Sequence, residues 1–173
     1  GKEQVVRNNI LSGYTVILYK GNDHFTAEYN RITANKTGIV VQPNAATDIT
    51  LRGNVIVPGT APAADAQGIY LTGVNGASVV ANSITGFVGA NGLAGSNLTN
   101  INITDNTVSG NKKGINFWGT TTFICIVNNQ ISGNSAYGIS IKGNDITITG
   151  RSVDSSTARV TAAAVSGRAP KAT

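Results

Sequence analysis

The sequence predicts an all-β solenoid of about seven coils, and three observations predict it. A short Asn-x-Ile/Val phrase returns every 22 to 28 residues, apolar residues alternate just ahead of each return, and a Gly-Ile-x-apolar phrase recurs between returns. Composition agrees: 21 Gly, abundant Asn, Ser and Thr, 12% charged residues and no Met in 173 positions favour strands broken by turns over helices.

The recurring marker stands at Asn8–Ile10, Asn30–Ile32, Asn54–Ile56, Asn82–Ile84, Asn106–Val108 and Asn129–Ile131, with Arg151–Val153 as a degenerate seventh copy. Counted from Asn8 the spacings are 22, 24, 28, 24, 23 and 22. At a tight corner an Asn tolerates the left-handed conformation, and its amide can bond to the Asn of the next coil. Asn8, Asn30, Asn54, Asn82, Asn106 and Asn129 therefore read as a structural ladder. The Asn-x-Thr sequons at Asn35, Asn97 and Asn102 follow from the same composition and carry no separate weight as glycosylation sites.

Ahead of the markers stand the pairs Phe25 and Ala27, Ile49 and Leu51, Ala77 and Val79, Ile101 and Ile103, Ile124 and Ile126, and Ile146 and Ile148. Their period of two is that of a half-buried strand. Further strands follow at Gly38–Val41, Gly68–Gly73, Gly92–Gly95, Gly114–Gly119 and Gly138–Gly143. No unit covers its own apolar face, so units must stack roughly 4.8 Å apart, each strand pairing with the coil above and below. The 28-residue coil carries an insertion, IVPGTAPAADAQG, whose Pro and Ala content predicts a stiff projecting loop.

Coils are expected over residues 1–153. The small, polar, basic segment 154–173 is expected to lie over the last coil or to be disordered. Gly1 falls within what should be a strand of the first coil, and solenoid ends need caps. The chain is thus expected to be a fragment of a longer β-helix, or one capped by another chain.

A net charge of +5 and a pI near 9.6 favour a polyanionic partner. Nucleic-acid modules, phosphate-binding loops and zinc spacings are absent, so nucleic acid is not the expected partner. The single cysteine, Cys125, excludes an internal disulfide framework and a multi-Cys zinc site, and reads as a semi-buried strand residue. No apolar run approaches the roughly 20 residues of a membrane span. Neither cofactor nor metal is expected.

The phrase xIxIxxNxI(S/T)G…GIxI resembles the right-handed parallel β-helix repeat of the pectin-lyase-like superfamily over residues 1 to about 153. That superfamily includes pectate and alginate lyases, polygalacturonases, mannuronan epimerases and phage tailspike depolymerases. The resemblance implies a right-handed single-stranded parallel β-helix, carbohydrate polymers as ligands, and a groove along the Gly-Ile strands and the turns before them.

Aligned on that phrase, outward positions form one row of Leu18, Val40, Tyr70, Ala94, Asn116 and Ser140, and a second of Lys20, Gln42, Thr72, Trp118 and Lys142. The turns before them add Lys36, Asp65, Asn91, Lys112, Lys113 and Tyr137. Five of the seven lysines fall on this side. Trp118, the only Trp, offers a flat apolar plate for a sugar ring, and adjacent ammonium groups attract carboxylate or sulfate. The expected substrate-binding residues are Trp118, Lys142, Lys112, Lys113, Lys20, Lys36, Tyr70 and Asp65.

No catalytic set stands out. Glycoside hydrolysis needs two carboxylates within about 5 to 10 Å, and only Asp65 precedes a Gly-Ile strand. The six Asp and two Glu do not cluster as a calcium site requires. Lys112, Lys142 or Tyr70 could serve as base in a metal-free lyase or epimerase, and spacing singles out none. The lone His24 falls away from the groove. The resemblance and the charged face together predict an extracellular or virion-surface β-helix that engages an acidic polysaccharide, as part of a tailspike, which would trimerise, or of a degrading enzyme. Two alternatives stay open: a structural stalk or adhesin segment, and a lyase or epimerase whose catalytic residues lie upstream of Gly1.

Overall fold

The computed structural model describes residues 3–21, 24–42 and 47–150, together with the backbone of Ala158–Ala162. Among the described residues there are seventeen strands and no helix. They form three faces. A leading face, ahead of the markers, takes Gln4–Arg7, Phe25–Glu28, Ile49–Arg52, Asn75–Val80, Thr99–Thr104, Thr122–Val127 and the second half of Tyr137–Thr149. A corner face takes the first parts of Ile10–Tyr19 and Arg31–Val41, then Val55–Pro58, Ser83–Thr85, Thr107–Ser109 and Gln130–Ser132. The Gly-Ile face takes the remainders of Ile10–Tyr19 and Arg31–Val41, then Gln67–Thr72, Asn91–Ser96, Lys113–Trp118, the first half of Tyr137–Thr149, and Ala158–Ala162.

Every pairing joins one coil to the next and is parallel. Six corner strands stack, so the solenoid makes about six turns. The seventh marker, Arg151–Val153, lies outside the described residues. Beyond it the backbone of Ala158–Ala162 pairs with Ile139–Gly143.

Stacking places like residues over like. Ile101, Ile124 and Ile146 form one inward column of the leading face. Ile39, Ile69, Leu93, Ile115 and Ile139 form one on the Gly-Ile face, and Ile32, Ile56, Ile84, Val108 and Ile131 one on the corner face. All are buried, and β-branched side chains suit a pleated stack. The Gly of the Gly-Ile phrase is there because coils approach closely. A Cβ at Gly114 would lie 2.4 Å from the Gly138 carbonyl oxygen and 2.9 Å from the side chain of Ile131.

The asparagine ladder is closed hydrogen bond by hydrogen bond. Asn54 donates from Nδ2 to Asn82 Oδ1 at 2.9 Å and to the Ala27 carbonyl at 2.8 Å. Its own Oδ1 accepts the Asn30 backbone N–H at 3.1 Å and the Asn30 amide at 3.0 Å. Asn82, Asn106 and Asn129 continue the chain. All five amides from Asn30 to Asn129 are buried, and a buried amide is tolerated only when so satisfied.

Two details differ from the sequence reading. The first rung is Asn9, not Asn8: Asn9 Nδ2 donates to Asn30 Oδ1 at 3.1 Å, and Leu11, not Ile10, pairs with the inward Ile32. Ile10 points outward and is 87% exposed. The left-handed residue is also not the ladder Asn but the one before it: Asn8, Tyr29, Gly53, Ala81, Asp105 and Asn128 all have φ between 54° and 61°. The corner bends at that residue, which turns the following Asn inward. A second ladder, unforeseen, runs at the next turn. Asn111 Nδ2 donates to Asn134 Oδ1 at 3.1 Å, and the Phe87 N–H donates to Asn111 Oδ1 at 3.0 Å.

Candidate binding face on the Gly-Ile strands

On the Gly-Ile face the register aligns Leu18, Val40, Tyr70, Ala94, Asn116 and Ser140 as one outward row. Thr72, Ser96 and Trp118 align in the neighbouring row, and Lys142 follows Ile141, the partner of Phe117. The fourth coil contributes only small residues here, Ala94 and Ser96. Over them the rings of Tyr70 and Trp118 meet, with centroids 6.0 Å apart and planes 18° from parallel. Their strands are two spacings apart, about 9.6 Å, so large side chains on the intervening coil would keep the rings from meeting. Ala94 points outward yet is fully buried, and Trp118 keeps 40% of its surface exposed. Beside the pair the Thr72 and Ser96 hydroxyls bond at 3.0 Å.

The lysines do not act as one cluster. Lys36 bonds Asp65 across the inserted loop. That bond holds the Asp65 carboxyl below the usual carboxylate range and pushes the Lys36 ammonium above its ordinary value. The pair is exposed and its charges offset each other. The loop does not project freely, because the Ala63 N–H donates to the Asn35 carbonyl at 2.7 Å and the Ala64 carbonyl lies against Gly89. Lys113 sits 5.8 Å from the Tyr137 ring centroid, within cation–π range. Lys112 and Lys142 are exposed, and Lys20, also exposed, follows Tyr19 on the first coil, two strand spacings from the coil of Tyr70. The structure therefore groups Tyr70 and Trp118, with Lys142 one coil away and Lys112 and Lys113 at the start of Trp118's own strand. Lys36 with Asp65 form a separate pair.

Chemically, this face offers an aromatic plate, hydroxyl and amide donors, and cations at its edge. Sequence reasoning placed Tyr70 and Trp118 on one face without foreseeing that they touch. The signal was the small residues of the coil between them. His24 lies on the leading face, its Nδ1 3.1 Å from Asp48 Oδ2. Cys125 lies there too, half-buried and unbridged.

Residues 59–162 match the model of a family described as NosD, periplasmic copper-binding protein. That description names copper and the periplasm, and names neither a polysaccharide nor a tailspike. No curated protein and no solved structure matches the chain.

Proposed function

The chain belongs to the NosD family, and from that premise we propose that it is a periplasmic binding solenoid which holds an anionic glycan along its Gly-Ile face. Copper, the ion in the family's description, does not fit the donor set of these coils. Copper sites draw on His, Cys and Met; the chain has one His, one Cys and no Met. His24 faces Asp48, and Cys125 lies four coils further along the leading face, about 19 Å by strand spacing. Among the described residues no three His, Cys, Asp or Glu side chains converge.

The observation that carries the glycan reading is the Tyr70–Trp118 pair, an aromatic plate over the small residues Ala94 and Ser96 of the intervening coil, with Trp118 40% exposed. Sugar rings bury their apolar C–H faces on such plates, and the polar tips of Tyr and Trp remain available to hydroxyls. Lys142, one coil from Trp118, and Lys112 and Lys113, at the far end of its strand, add positive charge to this face and favour carboxylate or sulfate over neutral sugar. Titration calorimetry with oligogalacturonate and sulfated oligosaccharides tests this. Binding weakened about tenfold by Trp118→Ala, with the fold intact, is the expected outcome. Failure of every acidic glycan to bind the unaltered chain would sink the reading.

A further inference from the structure

The leading face carries a second concavity, unrelated to the aromatic pair. A trough of about 510 Å³ is lined by Asn100, Asn102, Phe123, Ile124, Cys125, Asp145 and Thr147. It is continuous, through Asn100 and Asn102, with a smaller one of about 210 Å³ that reaches Asp48, Thr50 and Ser78. We propose that this trough binds an uncharged, hydroxyl-rich chain, a neutral glycan, lying along the solenoid axis over Phe123.

Three features carry the assignment. The first is charge. Among the described residues the polar part of the lining is hydroxyl, amide and thiol with two carboxylates, Asp48 and Asp145, and no Lys or Arg. A polyanion would be repelled here, the reverse of the Gly-Ile face. The second is spacing. Thr50, Ser78, Asn102, Cys125 and Thr147 stand in one register row, so a polar group recurs at each strand spacing, about 4.8 Å. That suits a polymer of similar repeat, such as a chain of pyranose units.

The third feature is Phe123 itself. Its row contains Asp48, Gly76, Asn100, Phe123 and Asp145, all with positive φ between 53° and 94°. Gly, Asn and Asp tolerate that conformation, whereas a bulky aromatic there is strained. Phe123 is moreover 57% exposed, so it contributes little to the core. Tyr29 shares this conformation and exposure at the corner, but only Phe123 stands among the polar side chains of the trough, and an exposed flat ring so placed is what a sugar face stacks on.

The chain's single thiol reports on this site, because Cys125 lines the trough two residues from Phe123. The rate of its alkylation by N-ethylmaleimide, followed by mass spectrometry, is measured with cello-, xylo-, malto-, laminari- and chitohexaose, with hexagalacturonate and with hexalysine. At least one neutral hexamer is expected to slow alkylation fivefold or more in a saturable way, with the two charged oligomers inactive. Phe123→Asn is expected to abolish that protection while raising Tm by about 2 °C or more, since it relieves left-handed strain. Protection by none of the neutral hexamers, protection by a charged oligomer alone, protection that survives Phe123→Asn, or a fall in Tm in that variant would each overturn the proposal. The readout is independent of acidic-glycan binding, so either assignment can fail without the other.

Discussion

The Gly-Ile face and the leading face are strands of the same coils, with the same parallel register and the same Ile-rich interior, yet their outer surfaces differ in sign and shape. The Gly-Ile face carries Tyr70 and Trp118 stacked over Ala94, with lysines at the edge. The leading face carries a polar trough with Asp48, Asp145 and Phe123, the last in a left-handed turn. The comparison teaches that stacking fixes what points inward and leaves each outward position free to change from coil to coil. Ligand chemistry on such a scaffold is set by departures from the repeat, and neighbouring faces can hold opposite preferences.

The largest expected effect breaks both faces at once. In Asn106→Ala the Asn82 backbone N–H loses its acceptor and the Val79 carbonyl loses a donor, while the Asn82 amide keeps the Leu51 and Val80 carbonyls. At roughly 1–3 kcal/mol for each of these two buried groups, stability should fall by at least about 2 kcal/mol and Tm by roughly 4 °C or more. Thermal melts of Asn106→Ala beside Asn102→Ala, whose side chain is exposed, check this; equal melts would show that the ladder is not the common support.

A smaller effect should separate the faces. Trp118→Ala is expected to weaken acidic-glycan binding about tenfold, near 1.4 kcal/mol, and to leave Cys125 alkylation unchanged. Calorimetry and the alkylation assay on the same sample give both numbers, and a change in alkylation would mean that the two faces are coupled.

Below that lies the charge contrast. Replacing Lys112, Lys113 and Lys142 together by Ser should lower acidic-glycan affinity several-fold at low salt and hardly at all at about 1 M, where the Debye length shrinks to about 3 Å. A loss independent of salt would move the lysines from electrostatic attraction to packing.

The smallest effect concerns the loop beside the Gly-Ile face. The Asp65 carboxyl is lowered by Lys36, so the pair's contribution is present above the ordinary carboxylate range and disappears as pH falls through the lowered value. The Lys36 ammonium is raised by Asp65, so its contribution is present below its ordinary value and disappears as pH rises through the raised one. NMR signals of Ala63 and Ala66 should be flat across neutral pH and move only at the two extremes, and Asp65→Asn should remove the acidic transition. Movement near neutral pH would assign the loop's attachment to another group.

Much of the scaffold was legible in the sequence, because a period of two within strands and about 24 between coils is a local pattern that any stacked unit must obey. Ile69, Leu93 and Ile115 could be placed inward without coordinates for that reason. Asn8 completes the marker with Ile10, whereas the true rung, Asn9, is followed by Leu11, and only pairing with the second coil distinguishes the two. The ladder at Asn111 and Asn134 was hidden because it spans too few coils to show as a repeat. The leading-face trough was hidden because Asn100, Phe123 and Asp145 look like unrelated turn residues until the register lines them up.

By itself, then, the sequence determined an all-β solenoid, the residues that fill it, and the face on which Trp118 and most lysines stand, since each of these follows from spacing along one chain. Only the tertiary structure decided that Tyr70 reaches Trp118 over Ala94, that Lys36 bonds Asp65 from 29 residues away, and that Cys125 shares a trough with Phe123. Those contacts join outward side chains of different coils, where no repeat constrains the residue and the outcome depends on the size and reach of the neighbours.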